Sequence, residues 1–290
     1  MRHQDRAAVR RGGAGGAALS LALAIAWMTV DIAAQGPERG APQAATPIKR
    51  LADGTPDIQG VYMADAGGAN YGLEKRPDLP MFPPARGVVV DPPDGRLPMY
   101  PWAREEVLRR QRPERGYDDP TAHCFVAGIP RSLYVPSPFQ ILQPEGYVVF
   151  LHERMSWRIV PLNRTHSLPD HMRLWQGDSV GRWEGDTLVV ETRNFNGKTW
   201  LNEVGEMVSH ALTVTERFTP IDGNRIRYQA TLVDPIVYTR PFTIEFPLVR
   251  QDTELLEVAC LEDDQDLKHL KDVKDAHEAE QKKKAAEGQP

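Results

Sequence analysis

The sequence predicts an all-β fold: an antiparallel β-barrel or curled, lipocalin-like sandwich, with a proline-rich irregular cover and one short helix. Three observations carry that expectation. Short β-favouring runs follow one another from residue 139 to residue 261, separated by turn signals such as Pro144 to Gly146 and Asp222 to Asn224. The run GDSVGRWEGDTLVVETRNFN, residues 177–196, reads as strand, tight turn, strand. Strands this close in sequence pair antiparallel, and closing the sheet removes its exposed edges.

Taken in order, the chain opens with a secretory pattern. Arg2, Arg6, Arg10 and Arg11 form a positive start, and residues 17–30 form an apolar stretch too short for a comfortable membrane span. Ile32, Ala33 and Ala34 offer a cleavage site, so 1–34 reads as a signal peptide. Residues 35–50 follow as a flexible leader, rich in Ala, Pro and Gly over 35–47. A periplasmic or secreted location follows, with no stable membrane span after processing. Residues 51–262 are expected to form one barrel-like domain, and 263–290 a charged tail, helical or disordered.

Within the domain, 58–63 is a first strand. Pro77, Pro80, Pro83, Pro84, Pro92, Pro93, Pro98 and Pro101 then forbid regular ladders, so this segment must wrap a surface or cover an opening. Residues 102–112 form the one expected helix, with Pro101 at its first turn and Trp102, Val107 and Leu108 as a partial apolar face. Strands are expected at 139–143, 147–153, 157–162, 172–176, 187–193, 212–218, 225–234, 242–249 and 254–261. Trp183, Glu184, Gly185 and Asp186 make the turn into the 187–193 strand.

Export changes the meaning of the two cysteines. Cys124 and Cys260 are expected to form one disulfide, since oxidising compartments favour pairing over free thiols.

Chemistry is harder to read. Alternation places Glu153 on the face of Tyr147, Val149 and Leu151, Glu216 with Leu212, Val214 and Phe218, and Asp234 with Ile226, Tyr228, Ala230 and Leu232. If those faces point inward, carboxylates point inward too and need Arg154, Arg158, Arg182 or Arg217 beside them. Glu191 has apolar residues on both faces of its strand. Candidate acid–base residues are therefore Glu153, Glu216, Glu191 and the loop histidine His166. The same carboxylates also fit plain structural ion pairs. His152 lies opposite Glu153, beside Val148 and Phe150. Trp157, Trp175, Trp183, Tyr147 and Arg158 are candidates to line a pocket for a small apolar or aromatic molecule.

Other chemistries are excluded or disfavoured. The pair His166 and His171 around Asp170 is not a recognised zinc spacing, so no metal is assigned. Gly177 to Gly181 matches Gly-x-Ser-x-Gly, but no helix is expected after Ser179, so it is not read as a nucleophile. No glycine loop opens a helix to cradle a phosphate, so no cofactor is expected. A net charge of −5, without a basic stripe, gives nucleic acid no electrostatic footprint. The oligomeric state is left open.

The tryptophan-centred run, the Thr-Glu-Arg-Phe of residues 215–218, residues 53–62, residues 91–98 and the Gly-Ile-Pro-Arg of residues 128–131 together resemble a family of secreted, β-rich proteins of environmental bacteria. The likeness covers roughly residues 50 to 265. Where that family places His-Ser-Glu before the corresponding strand, this chain has Val208, Ser209 and His210. The resemblance implies architecture and export, and carries no mechanism. The function expected is an exported small-molecule-binding barrel with an aromatic-lined cavity. Alternatives are a cofactor-free acid–base enzyme (lyase, isomerase or hydrolase) and a structural envelope protein.

Overall fold

Pairing between distant runs, rather than local propensity, organises the chain. The computed structural model describes residues 46–287 other than 79–81, 155, 264 and 265. The expected signal peptide and the leader up to residue 45 lie outside the described residues. The strands are β1 (Gly60–Ala64), β2 (Val89–Asp91), β3 (Phe139–Leu142), β4 (Tyr147–His152) and β5 (Ser156–Pro161). They continue with β6 (Asp178–Glu184), β7 (Thr187–Arg193), β8 (Thr213–Asp222), β9 (Arg225–Val233) and β10 (Phe242–Gln251). The sheet runs β5-β4-β3-β1-β10-β9-β8-β7-β6. β1 pairs with the end of β10, and β2 with its beginning.

The two ends of this order meet. Leu162, just past β5, bridges in parallel to Gly181 of β6, and the Asn163 N–H donates to the Gly181 carbonyl at 2.7 Å. The sheet thereby becomes a nearly closed barrel with one thin seam. Gly181 is what lets the seam form: a Cβ there would stand 2.9 Å from Val160 Cγ1 and 3.0 Å from Leu162 Cδ2. Gly181→Val should therefore lower the unfolding free energy by about 1–3 kcal/mol, the usual cost of overpacking. Urea unfolding of the variant checks this, and an unchanged midpoint would show that the seam does not pack as described.

The hairpin in the motif forms as expected. Glu184 pairs with Thr187, leaving Gly185 and Asp186 as a two-residue loop, and Gly185 takes φ +58, a region glycine enters freely. Alternation then sends Leu188, Val190 and Thr192 inward from β7, and Val214, Glu216 and Phe218 inward from β8. A run of ring contacts crosses the interior: Tyr62 to Phe139, Phe150, Phe218, Tyr228 and Phe246, with neighbouring centroids 4.9–6.4 Å apart. These rings supply much of the apolar area that holds the barrel together.

Several expectations need correction. Residues 172–176 are not a strand; Leu174 makes only an isolated bridge to Phe195. Residues 254–261 do not extend the sheet either, because both edges of β10 are already occupied, by β9 and by β1 with β2. The chain instead turns into α2 (Cys260–Asp263), followed by α3 (Asp266–Ala286). The Pro-rich cover is not wholly irregular: Val89 to Asp91, in a proline-free window, pair with β10 as β2. The expected short helix is Pro101–Arg110; it buries Ala103 and Val107, while Trp102 and Leu108 are exposed.

Cys124 and Cys260 form a disulfide, with Cα atoms 5.9 Å apart. It ties the C-terminal segment to the short 3-10 turns at 113–123. α3 lies against Pro113–Asp118, where Lys274 meets Asp118 at 2.9 Å and sits over the Tyr117 ring.

Candidate functional site

β4 and β5 place Val148, Phe150 and His152, and Ser156, Arg158 and Val160, on one inward face. Arg158 is buried and points across the seam. Its Nε donates to Ser179 Oγ of β6 at 2.9 Å, and its Nη2 to Thr192 Oγ1 of β7 at 2.7 Å and to Glu216 of β8. Ser179 and Thr192 are themselves 3.0 Å apart. Tyr228 OH of β9 donates to the other Glu216 oxygen at 3.0 Å. Burial first, and then the Glu216 charge, push the Tyr228 phenol well above its ordinary pKa, so it remains a donor. One guanidinium thus joins β5 to three strands beyond the seam. Ser179, in its Gly-x-Ser-x-Gly setting, is a strand residue serving this network.

Within and beside this network lie buried polar atoms with no protein partner. Both ring nitrogens of His152, Nη1 of Arg158 and Oγ of Ser132 are buried without hydrogen bonds. His152 and Arg158 share a neighbourhood, which the Ser132 backbone also reaches. His152 ends β4 opposite Ser156, its ring stands 5.6 Å from that of Phe139, and the Arg158 charge and the Ser132 backbone both act on it. Burial first, and Arg158 second, bring the His152 imidazole down to about 4, with the Ser132 backbone opposing weakly. At neutral pH it is uncharged, with one donor and one acceptor. Buried unpartnered polar atoms cost free energy, so such a group calls for water or a ligand.

A second buried set lies outside the seam. Arg131 meets Asp119 through two hydrogen bonds of 3.0 and 2.8 Å and donates through Nε to Asn70, which in turn donates to Glu203. Glu206 is buried nearby in sequence, accepting from Leu73 N–H at 3.1 Å and Asn202 Nδ2 at 2.6 Å. Burial, opposed by those hydrogen bonds, pushes Glu206 up to about 7.

The residues expected to form an acid–base site do not converge. Glu216 is interior. Glu153 is not: it follows the outward phase of β4, accepting from Ser137 Oγ at 2.6 Å and Leu256 N–H at 3.0 Å. The inward residue there is His152, a choice that YVVFLH cannot decide because both faces are apolar. Glu191 lies on the outer wall with Arg182, which also holds Glu184, and Glu184 holds Arg217. These arginines therefore compensate outer carboxylates, and Arg154 is exposed. His166 is outside too, with Asp178 at 3.1 Å, while His171 is exposed. Asp234 is buried as a turn cap, accepting from the Ser209 and Ile236 N–H groups and from Ser209 Oγ.

The aromatic candidates need correction as pocket walls. Trp157 is 67% exposed on the outer face of β5. Trp175 stacks on Phe125, and Tyr147 lies under Arg164. Trp183 packs against the core from the end of β6. The rings in contact across the interior are the phenylalanines and tyrosines named above. Sequence reasoning missed Arg131, Ser132 and Glu206 as buried polar residues; only the quoted Gly-Ile-Pro-Arg pointed towards the first. Among the described residues no three His, Cys, Asp or Glu side chains gather to hold a metal, and no helix is long and apolar enough to cross a membrane.

Searches against family models, curated proteins and solved structures give no match to the chain.

Proposed function

We propose that the barrel binds a small, largely apolar molecule through a carbonyl or hydroxyl group, held by Arg158, His152 and Ser132. The observation that supports this reading is the set of buried polar atoms without protein partners. Donors predominate: the Arg158 Nη1 hydrogens and the Ser132 hydroxyl, beside the neutral imidazole of His152. Glu216 already neutralises Arg158, so the site favours an uncharged acceptor over a second carboxylate. Phe139 and Phe150 next to His152 and Arg158 suit the apolar body of such a molecule. We place the protein in the periplasm or outside the cell, where the Cys124–Cys260 bond would persist.

Acetophenone and its deoxy analogue ethylbenzene test the reading by calorimetry. Acetophenone is expected to bind at least about tenfold more tightly, because ethylbenzene leaves the buried donors unpaired. Ser132→Ala should weaken acetophenone and leave ethylbenzene nearly unchanged. Equal affinity for the two probes, or no effect of Ser132→Ala on their ratio, would contradict the proposal.

A further inference from the structure

From the outer wall of β6 and β7, rather than the interior, we infer a second site: a groove that binds an oxyanion group, whether phosphate, sulfate or carboxylate, between Arg164 and Arg193. Two concavities, of roughly 400 and 220 Å³, adjoin on this wall and share Arg193 in their linings. Outward alternation puts Arg193 there from the end of β7, and the loop after β5 brings Arg164 to the larger concavity. Arg173 lines the smaller one.

The charges of this wall divide into two groups. Arg182 is already matched by Glu184 and Glu191, and His166 faces Asp178. Three other arginines have no carboxylate partner among the described residues. Arg164 lies 5.0 Å over the Tyr147 ring, Arg173 donates to the His210 carbonyl at 2.6 Å, and Arg193 Nε is buried without a partner. Asp170 is the one carboxylate lining the smaller concavity. Two of the unpaired guanidiniums thus line the larger concavity, whose own carboxylate, Glu191, is already matched by Arg182 of the same lining. Such cations collect in a chain whose net charge is −5, so the bulk charge of the protein does not account for them. A planar guanidinium presents paired N–H donors that match the oxygens of an oxyanion, and Arg164 is exposed at the groove while Arg193 is half-buried in it.

Calorimetry of the full chain with inorganic phosphate, sulfate and benzoate, at low ionic strength, tests the site and separates the three chemistries. At least one probe is expected to bind with one-to-one stoichiometry. Arg193→Gln should weaken it by about tenfold or more, as loss of a charge-assisted hydrogen bond would. Arg227→Gln, on the outer face of β9, removes the same charge elsewhere and should leave affinity within about twofold. Should Arg193→Gln disturb the fold, Arg164→Gln, in the loop, carries the same expectation. Absence of binding by all three probes overturns the inference. Equal losses in Arg227→Gln and the groove variants also overturn it, because binding would then follow net charge alone.

Discussion

Replacing Arg158 by Met is expected to lower the unfolding free energy by about 3–5 kcal/mol, the scale for removing one member of a buried ion pair. The cause is what remains. Glu216 is fully buried, and without Arg158 its carboxylate keeps only the Tyr228 hydroxyl. Ser179 and Thr192 lose their shared donor, and the seam loses its strongest link between β5 and the strands beyond it. Glu216→Gln keeps the shape and one acceptor for Tyr228, so a smaller loss of roughly 1–3 kcal/mol is expected. The double variant should cost clearly less than the two single changes added together, since neither charge is then left alone. A urea-denaturation cycle over the four proteins measures this. Additivity within about 0.5 kcal/mol would show that the two groups act independently, against the described contact.

The second large effect is a pair of opposed pH dependences. Glu206, usually near 4.5, is pushed up to about 7 in the folded protein, so the native state holds a proton that the unfolded chain releases. Its contribution therefore falls as pH rises from about 4.5 to about 7. His152, usually near 6.5, is brought down to about 4, so the unfolded chain binds the proton first. Its contribution falls as pH drops from about 6.5 to about 4. Each shift corresponds to roughly 3 kcal/mol at full development. In the wild-type protein the two slopes largely cancel over this window. Glu206→Gln should gain about 3 kcal/mol relative to wild type between pH 4 and pH 8, exposing a stability that rises with pH. His152→Leu should show the reverse slope, gaining relative to wild type as the pH falls from 8 to 4. Unfolding curves across that range decide the matter: parallel pH profiles for wild type and either variant would contradict the assigned environments.

How much of this was legible in the sequence depended on local ambiguity. The 187–193 strand and its Gly185–Asp186 turn were readable, because β-favouring runs on either side of a Gly-Asp pair admit few alternatives. The disulfide was readable from an exclusive cysteine pair behind an expected export signal. Glu216 was placed inward by neighbours apolar on one face only. The 147–153 run was read one residue out of phase, since Tyr147, Val149 and Leu151 compete with Val148 and Phe150. That slip put Glu153 where His152 belongs. The tryptophans misled in another way: Trp157 is β-favouring, yet it lies on the outer face of an end strand. Contacts across the seam, such as Arg158 with Glu216 over 58 residues, have no local signature at all.

A crystal structure of the protein soaked with acetophenone, inspected at His152, Ser132 and Arg158, tests ligand binding inside the barrel most directly. Density for the ketone is expected there, its oxygen within about 3 Å of Arg158 Nη1 or Ser132 Oγ and its ring against Phe139 or Phe150. An interior that excludes the ketone while His152, Ser132 and Arg158 Nη1 are satisfied by water alone would contradict it, and would leave the barrel's polar core a purely structural device.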